Sequence, residues 1–403
     1  MRAVTHLICA IALAVSCLVA CSKKDQPTAK TVPPRPASAR YESVAQVPED
    51  ARKELEAFAR QLESDLKAGN TQAVQAAFSV PGIIDVICDG MKVPDKQLDQ
   101  FKIGMQSGLF SSMKFVAGVW TTEQPKYKGV VLHKGSPALR FRFVSDEAGI
   151  SLLDLVVTKD SKGRTHIVDF YNQGMGFGMV EQARQTMAPL LAELDKSFLD
   201  RLLGKPNLST AEVQSFSAFM LKFRENDFAG VAARYKTLPT ILRTNLTSTA
   251  VYISALQRLG DNKAYKAALK EAATRFKTAN FEFMLVDLYF LDKEYDRAIE
   301  CLDHFMEAIG KDAALLALKS LLLYSKKEVP AARTTLLEAF QLEPDCIYAH
   351  TKGLDVLLAA RDFAGARDSM IFLEENADFK FKGFLTDPVW DEFKKAPESE
   401  QWR

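Results

Sequence analysis

The chain has 403 residues, of which 47% are hydrophobic, 26% charged and 10% aromatic, room for two or three domains of ordinary water-soluble composition. Lys and Arg number 52 against 51 Asp and Glu. A nucleic-acid binder needs a basic face to neutralise phosphates, so this balance argues against that class. Six cysteines with no CxxC pair likewise exclude a disulfide scaffold, a zinc ribbon and a thioredoxin-type site.

Residues 1–20 carry a positive start, Arg2, and an apolar run from Leu7 to Ala20 broken only by Ser16. That run is shorter than the roughly 20 residues a membrane span requires, so it reads as a secretory leader outside the fold. It ends Leu18-Val19-Ala20-Cys21, which resembles the bacterial lipobox. The resemblance implies lipidation of Cys21, an N-terminal cysteine after cleavage, and, from Ser22, sorting to the outer membrane facing the periplasm. Residues 21–49 are rich in Pro, Ser, Ala and Lys and nearly empty of large apolar side chains. They cannot bury a core and read as a disordered tether with a reach of roughly 30 Å.

Residues 50–190 read as an α+β domain. Leu55, Phe58, Ala59, Leu62 and Leu66 fall at helical spacing, Gly69-Asn70 stops that helix, Thr71 is expected to cap a second one, and Pro81-Gly82 to end it. Five strands follow: Lys114–Trp120, Tyr127–His133, Ala138–Val144, Ile150–Thr158 and Thr165–Tyr171. Asp160-Ser161-Lys162-Gly163 marks a hairpin, and the short spacing predicts a curved antiparallel sheet under the helices. A helix is expected from Met179 to Leu194. The segment from Ala138 to Gly178 resembles the nuclear-transport-factor-like cone fold, and more narrowly bacterial proteins that join such a domain to tetratricopeptide repeats. That resemblance implies a pocket, in which Asp154, His166, Asp169 and Tyr171 are the candidate residues and a carboxylate could shuttle protons. Structural hydrogen bonding or plain exposure of these groups is the stronger reading. Gly174-Met175-Gly176-Phe177-Gly178 lacks the third glycine and the βαβ context of a dinucleotide fingerprint, so its glycines are read as a sharp turn off the sheet.

Residues 205–403 alternate amphipathic runs with short breaks and read as an all-α array. Ala298, Ala332 and Ala366 recur every 34 residues, each preceded at three positions by Tyr295, Val329 or Phe363 and at nine by Tyr289, Leu323 or Leu357. With Ala339 and Pro344, this resembles the tetratricopeptide repeat. Three repeats run from 279 onward, and two degenerate ones precede them, since Asp227-Phe228-Ala229-Gly230 nearly copies Asp362-Phe363-Ala364-Gly365. Pro388 should open a helix that caps the stack. The resemblance implies a peptide-binding face on the first helices, carrying Asn280, Phe283, Asp287, Phe290, Ala314, Ala317, Leu321, Tyr324, Tyr348, Thr351, Asp355 and Leu358. It lacks the basic cluster of relatives that clamp a carboxylate.

Cys88, Cys301 and Cys346 are expected as buried free thiols, and no HExxH, EF-hand, P-loop or GxSxG motif supplies metal, phosphate or serine chemistry. No cofactor or metal is expected. The sequence therefore predicts a lipid-anchored, non-enzymatic adaptor of the cell envelope whose partners are another protein or peptide and the membrane. The alternative is a small-molecule binder or isomerase-like enzyme with its pocket in residues 50–190.

Overall fold

The computed structural model describes residues 40–145, 149–174, 176–187, 194–203, 209–276, 279–381 and 388–402. The leader, Cys21 and nearly all of the tether lie outside them. The chain gathers into two compact units, 1–272 and 273–403.

In the first unit, α1 (Glu49–Lys67), α2 (Thr71–Ala76), α3 (Val80–Cys88) and α4 (Asp95–Trp120) precede the strands. Helix α1 buries Leu55, Ala59, Leu62 and Leu66, one stripe of an amphipathic helix. Gly69 then turns the chain at φ 68°, and Asn70, not Thr71, caps α2 by accepting the Ala73 N–H. Pro81-Gly82 does not end a helix. Ser79 caps α3 through the Gly82 N–H, and Pro81 sits in the first turn, where no N–H partner is needed.

The segment Lys114–Trp120 is helical rather than extended, forming the last turns of α4. Its Val and Phe residues favour strands, but Phe101, Met105, Leu109, Met113, Val116 and Trp120 are buried at helical spacing, and that continuous stripe outweighs local propensity. Trp120 closes the stripe at the centre of the core, with ring centroids 5.5, 5.3 and 5.2 Å from Phe78, Phe143 and Phe170.

The sheet is an antiparallel meander in the order β1 (Gln124–His133), β2 (Ser136–Ser145), β3 (Gly149–Lys159), β4 (Thr165–Asn172), β5 (Phe177–Gly178). Asp160 organises the β3–β4 turn by accepting the N–H groups of Lys162 and Arg164. Gly176, at φ 76°, makes the turn from β4 into β5. Phe141, Phe143, Leu153, Leu155 and Phe170 belong to the core that the helices share, yet Ala138, Arg142, Leu152 and Asp154 on the opposite face are buried as well. Both faces being covered is why neither alternation set reads as purely polar. Helix α5 (Met179–Thr186) is shorter than the expected 179–194 helix; residues 188–193 lie outside the described ones, and α6 (Lys196–Leu203) follows. Arg184 of α5 donates to the carbonyls of Val86, Ile87 and Asp89, satisfying the open end of α3.

The remaining helices are α7 (Thr210–Arg224), α8 (Phe228–Thr237), the single turn α9 (Thr240–Arg243), α10 (Leu246–Leu259), α11 (Asn262–Phe276), α12 (Ala279–Leu291), α13 (Tyr295–Ile309), α14 (Ala313–Ser325), α15 (Val329–Leu342), α16 (Ile347–Ala359) and α17 (Phe363–Asn376). Five helix pairs, α7/α8, α10/α11, α12/α13, α14/α15 and α16/α17, share one turn. Asn226, Gly260, Lys293, Lys327 and Arg361, at intervals of 34, 33, 34 and 34, all have positive φ. Each donates its N–H to the carbonyl three residues back, and the next residue donates to the carbonyl five back. That pair of bonds closes the first helix and fixes the entry into the second.

Ala298, Ala332 and Ala366 are fully buried in α13, α15 and α17, where small side chains let the paired helices approach. Asp227 and Asp362 cap α8 and α17 by accepting the N–H of Gly230 and Gly365. Asp362 also receives Arg333 of α15 at 2.8 Å, so Asp362→Ala is expected to cost about 1–2 kcal/mol in urea unfolding. A 3-10 turn at Pro388–Trp390, α18 (Asp391–Lys395) and a 3-10 turn at Pro397–Trp402 complete the second unit. Phe393, fully buried, lies 5.9 to 6.2 Å from the rings of Phe363, Trp390 and Trp402.

Candidate functional site

The four candidate pocket residues of the sheet do not converge. Pairing of β2 with β3 sets Arg140 opposite Asp154, and pairing of β3 with β4 sets Tyr171 beside it. Asp154 is 1% exposed, and Arg140 grips it with Nε at 2.7 Å from Oδ1 and Nη2 at 2.8 Å from Oδ2. Gln173 donates its Nε2–H to Oδ2 at 2.6 Å. Both carboxylate oxygens are thus engaged in a charge-assisted clamp. Tyr171 packs its ring 4.5 Å from that of His133, and burial, helped by the charges of Glu181 and Asp154, pushes its phenol up to about 12.

Asp169 serves α5 instead. Its Oδ1 accepts the N–H groups of Phe170 and Val180 at 2.8 and 2.9 Å, capping the helix start. Burial pushes this carboxyl up to about 7 against the pull of those two bonds. His166 lies at the hairpin end of β4, with Nε2 3.2 Å from Asp160. Counting outward from the pairing of Ser145 with Gly149 gives the Arg140–Asp154 pairing, a signal the sequence carried and the expected strands did not use. Among the described residues no group of three His, Cys, Asp or Glu side chains is placed to hold a metal, and no helix is long and apolar enough to cross a membrane.

The second candidate is the face of the first helices α12, α14 and α16. Asp287, Leu321 and Asp355 occupy the same register position on them, 34 residues apart. Asp287, Phe290 and Asp355 are exposed, while Phe283, Leu321, Tyr324, Tyr348 and Thr351 are half-buried. Ala314, Ala317 and Leu358 are buried, so they serve packing. Phe283 stacks on Phe305 at 4.2 Å within its own helix pair. Asn280 begins α12, but its side chain lies outside the described ones. Tyr348 has its phenol raised mainly by burial and next by the charge of Asp287. Lys352 sits over the Tyr348 ring at 5.7 Å.

Behind that face, His350 of α16 is held between Phe340 of α15 and Phe372 of α17, with ring centroids at 4.6 and 4.1 Å. Its Nε2–H donates to the Pro344 carbonyl at 2.8 Å, which leaves Nδ1 to accept from the Ser369 hydroxyl at 3.0 Å. A neutral ring satisfies both partners, and burial lowers its pKa, against the Pro344 carbonyl and Asp345. Because the folded pKa is depressed, the stabilisation is present above the unfolded value of about 6.5 and is lost as pH falls toward the folded one. Between pH 7.5 and 5.5 the parent should therefore lose more thermal stability than His350→Gln, the difference between their melting curves reporting this site.

Cys88, Cys301 and Cys346 are buried free thiols. Burial pushes Cys88 and Cys301 up to about 11, far from a reactive thiolate. No family model matches the chain, and no curated protein matches it.

Proposed function

We propose that this protein is a non-enzymatic adaptor of the bacterial cell envelope, anchored by a lipidated Cys21, that holds another polypeptide on the first-helix face of α12, α14 and α16. The helix pairs act as tetratricopeptide-type units, and residues 50–190 form a cone-like companion domain. What carries this reading is the common turn, with the same two backbone bonds in all five pairs. An array of equivalent units presents a repeated surface, and here that surface bears Asp287, Leu321 and Asp355 in one register. The enzyme reading is weaker, because Asp154 spends both oxygens on Arg140 and Gln173.

A photo-crosslinking residue at Leu321 in living cells should trap a partner protein. Asp287→Lys with Asp355→Lys should abolish capture while leaving the melting temperature unchanged. Capture insensitive to these changes would refute the docking face. The anchor is tested apart from it: Cys21→Ser should leave an unprocessed chain without acyl groups, read by mass spectrometry of the N-terminal peptide.

A further inference from the structure

Helix α4 of the first unit has a second apolar side. Its buried stripe faces the core, yet Phe110, Phe115 and Ile103 are 59%, 45% and 40% exposed on the far side. Single exposed apolar residues are ordinary, but Ile103 and Phe110, about 20° apart around the helix and two turns apart along it, form an apolar ridge, with Phe115 at the other edge of the exposed side. At about 100° per residue, Ile103, Phe110 and Lys114 run along one side of that face and Gly104, Ser111 and Gly118 along the other, with Ser107 between them. A Cβ added at Gly104 or Gly118 would meet nothing within 4 Å. Between that ridge and Phe115 the face is cut low along Gly104, Ser111 and Gly118.

We propose that two copies of this protein pair through α4, antiparallel, about a two-fold axis at Ser107. A two-fold axis there sets each side of the face against the same side in the second copy, with residues whose distances from Ser107 agree to within one position coming level. Phe110 then packs on the partner's Ile103, and the reverse contact repeats it. On the other side Gly104 meets the partner's Ser111, so the backbones can approach. Charge agrees with this register: Lys114 comes to the level of the partner's Asp99, and neither forms an ion pair among the described residues of its own chain. Parallel pairing would set each Lys114 against itself. Two docking faces on one body would also let the adaptor hold its cargo bivalently.

The test uses the full-length protein in its own membrane. Ser107→Cys, on the axis, should give a disulfide-linked dimer under mild oxidation, whereas Gly118→Cys, far from it, should not; the native Cys88, Cys301 and Cys346 are buried and add no background. Phe110→Glu, at an exposed position, should remove the dimer band from the Ser107→Cys protein. Lys114→Glu should reduce crosslinking about tenfold, and adding Asp99→Lys should restore it. A Ser107→Cys chain that accumulates normally but stays monomeric, equal crosslinking through Gly118→Cys, or indifference to Phe110→Glu would each overturn the pairing. None of these outcomes touches the first-helix face of α12, α14 and α16.

Discussion

Asp154→Ala is expected to destabilise the first unit by about 3–5 kcal/mol, the largest effect of any single charged residue in the sheet. The reason is the partner left behind. Arg140 is 15% exposed at its side chain and carries a charge that cannot be titrated away, so without Asp154 it loses the carboxylate that accepts from its Nε and Nη2 on a covered sheet surface. Gln173 loses its acceptor at the same time. Removing both charges, as in Arg140→Met with Asp154→Leu, should recover most of the loss, because the pair's own net contribution is small once its desolvation is counted. Urea unfolding of the single and double variants decides it. A single variant within about 1 kcal/mol of the parent would mean that water reaches Arg140. The result also bears on the enzyme reading, since lost activity in an Asp154 variant would report an unfolded sheet unless its fold is checked.

Phe393→Ala should cost a similar amount, about 3–5 kcal/mol, and should do so locally. Phe393 is the common neighbour of Phe363, Trp390 and Trp402, and the indole N–H of Trp402 is fixed by the carboxylate of Glu374. Taking away the central ring leaves a void that three large side chains must close. Hydrogen exchange should then quicken in Pro388–Trp402 and α17 while α12 and α13 keep their protection. Uniform acceleration through the second unit would show that its helix pairs unfold together, not from the end.

Much of this architecture was written plainly in the residues. Runs of Val, Ile, Phe and Leu marked β1 to β4, and the 34-residue spacing of Ala298, Ala332 and Ala366 marked the paired helices. Lys114–Trp120 misled because Phe115, Val116, Val119 and Trp120, which favour strands, sit at the end of a 26-residue helix whose buried stripe begins at Phe101. The pairs α7/α8 and α10/α11 were harder to read because what they share with the later ones is a backbone conformation. Asn226, Gly260, Lys293, Lys327 and Arg361 are chemically unlike, yet each takes the same left-handed turn. Asp154 was singled out for its isolation in an apolar strand, and that same isolation hid its role, since its cation comes from the neighbouring strand.

Four of those five turn residues carry a side chain where glycine would be free of strain, a cost of about 1 kcal/mol each. Substituting glycine at Lys293, Lys327 or Arg361 would release that strain in the native form but enlarge the ensemble of the denatured chain. The two effects oppose, so the linkage is held by geometry that many residues can adopt at little net change. Evolution could then splice or delete a whole 34-residue cassette without rewriting the joints on either side, and the length of the helical array would change in steps of one cassette.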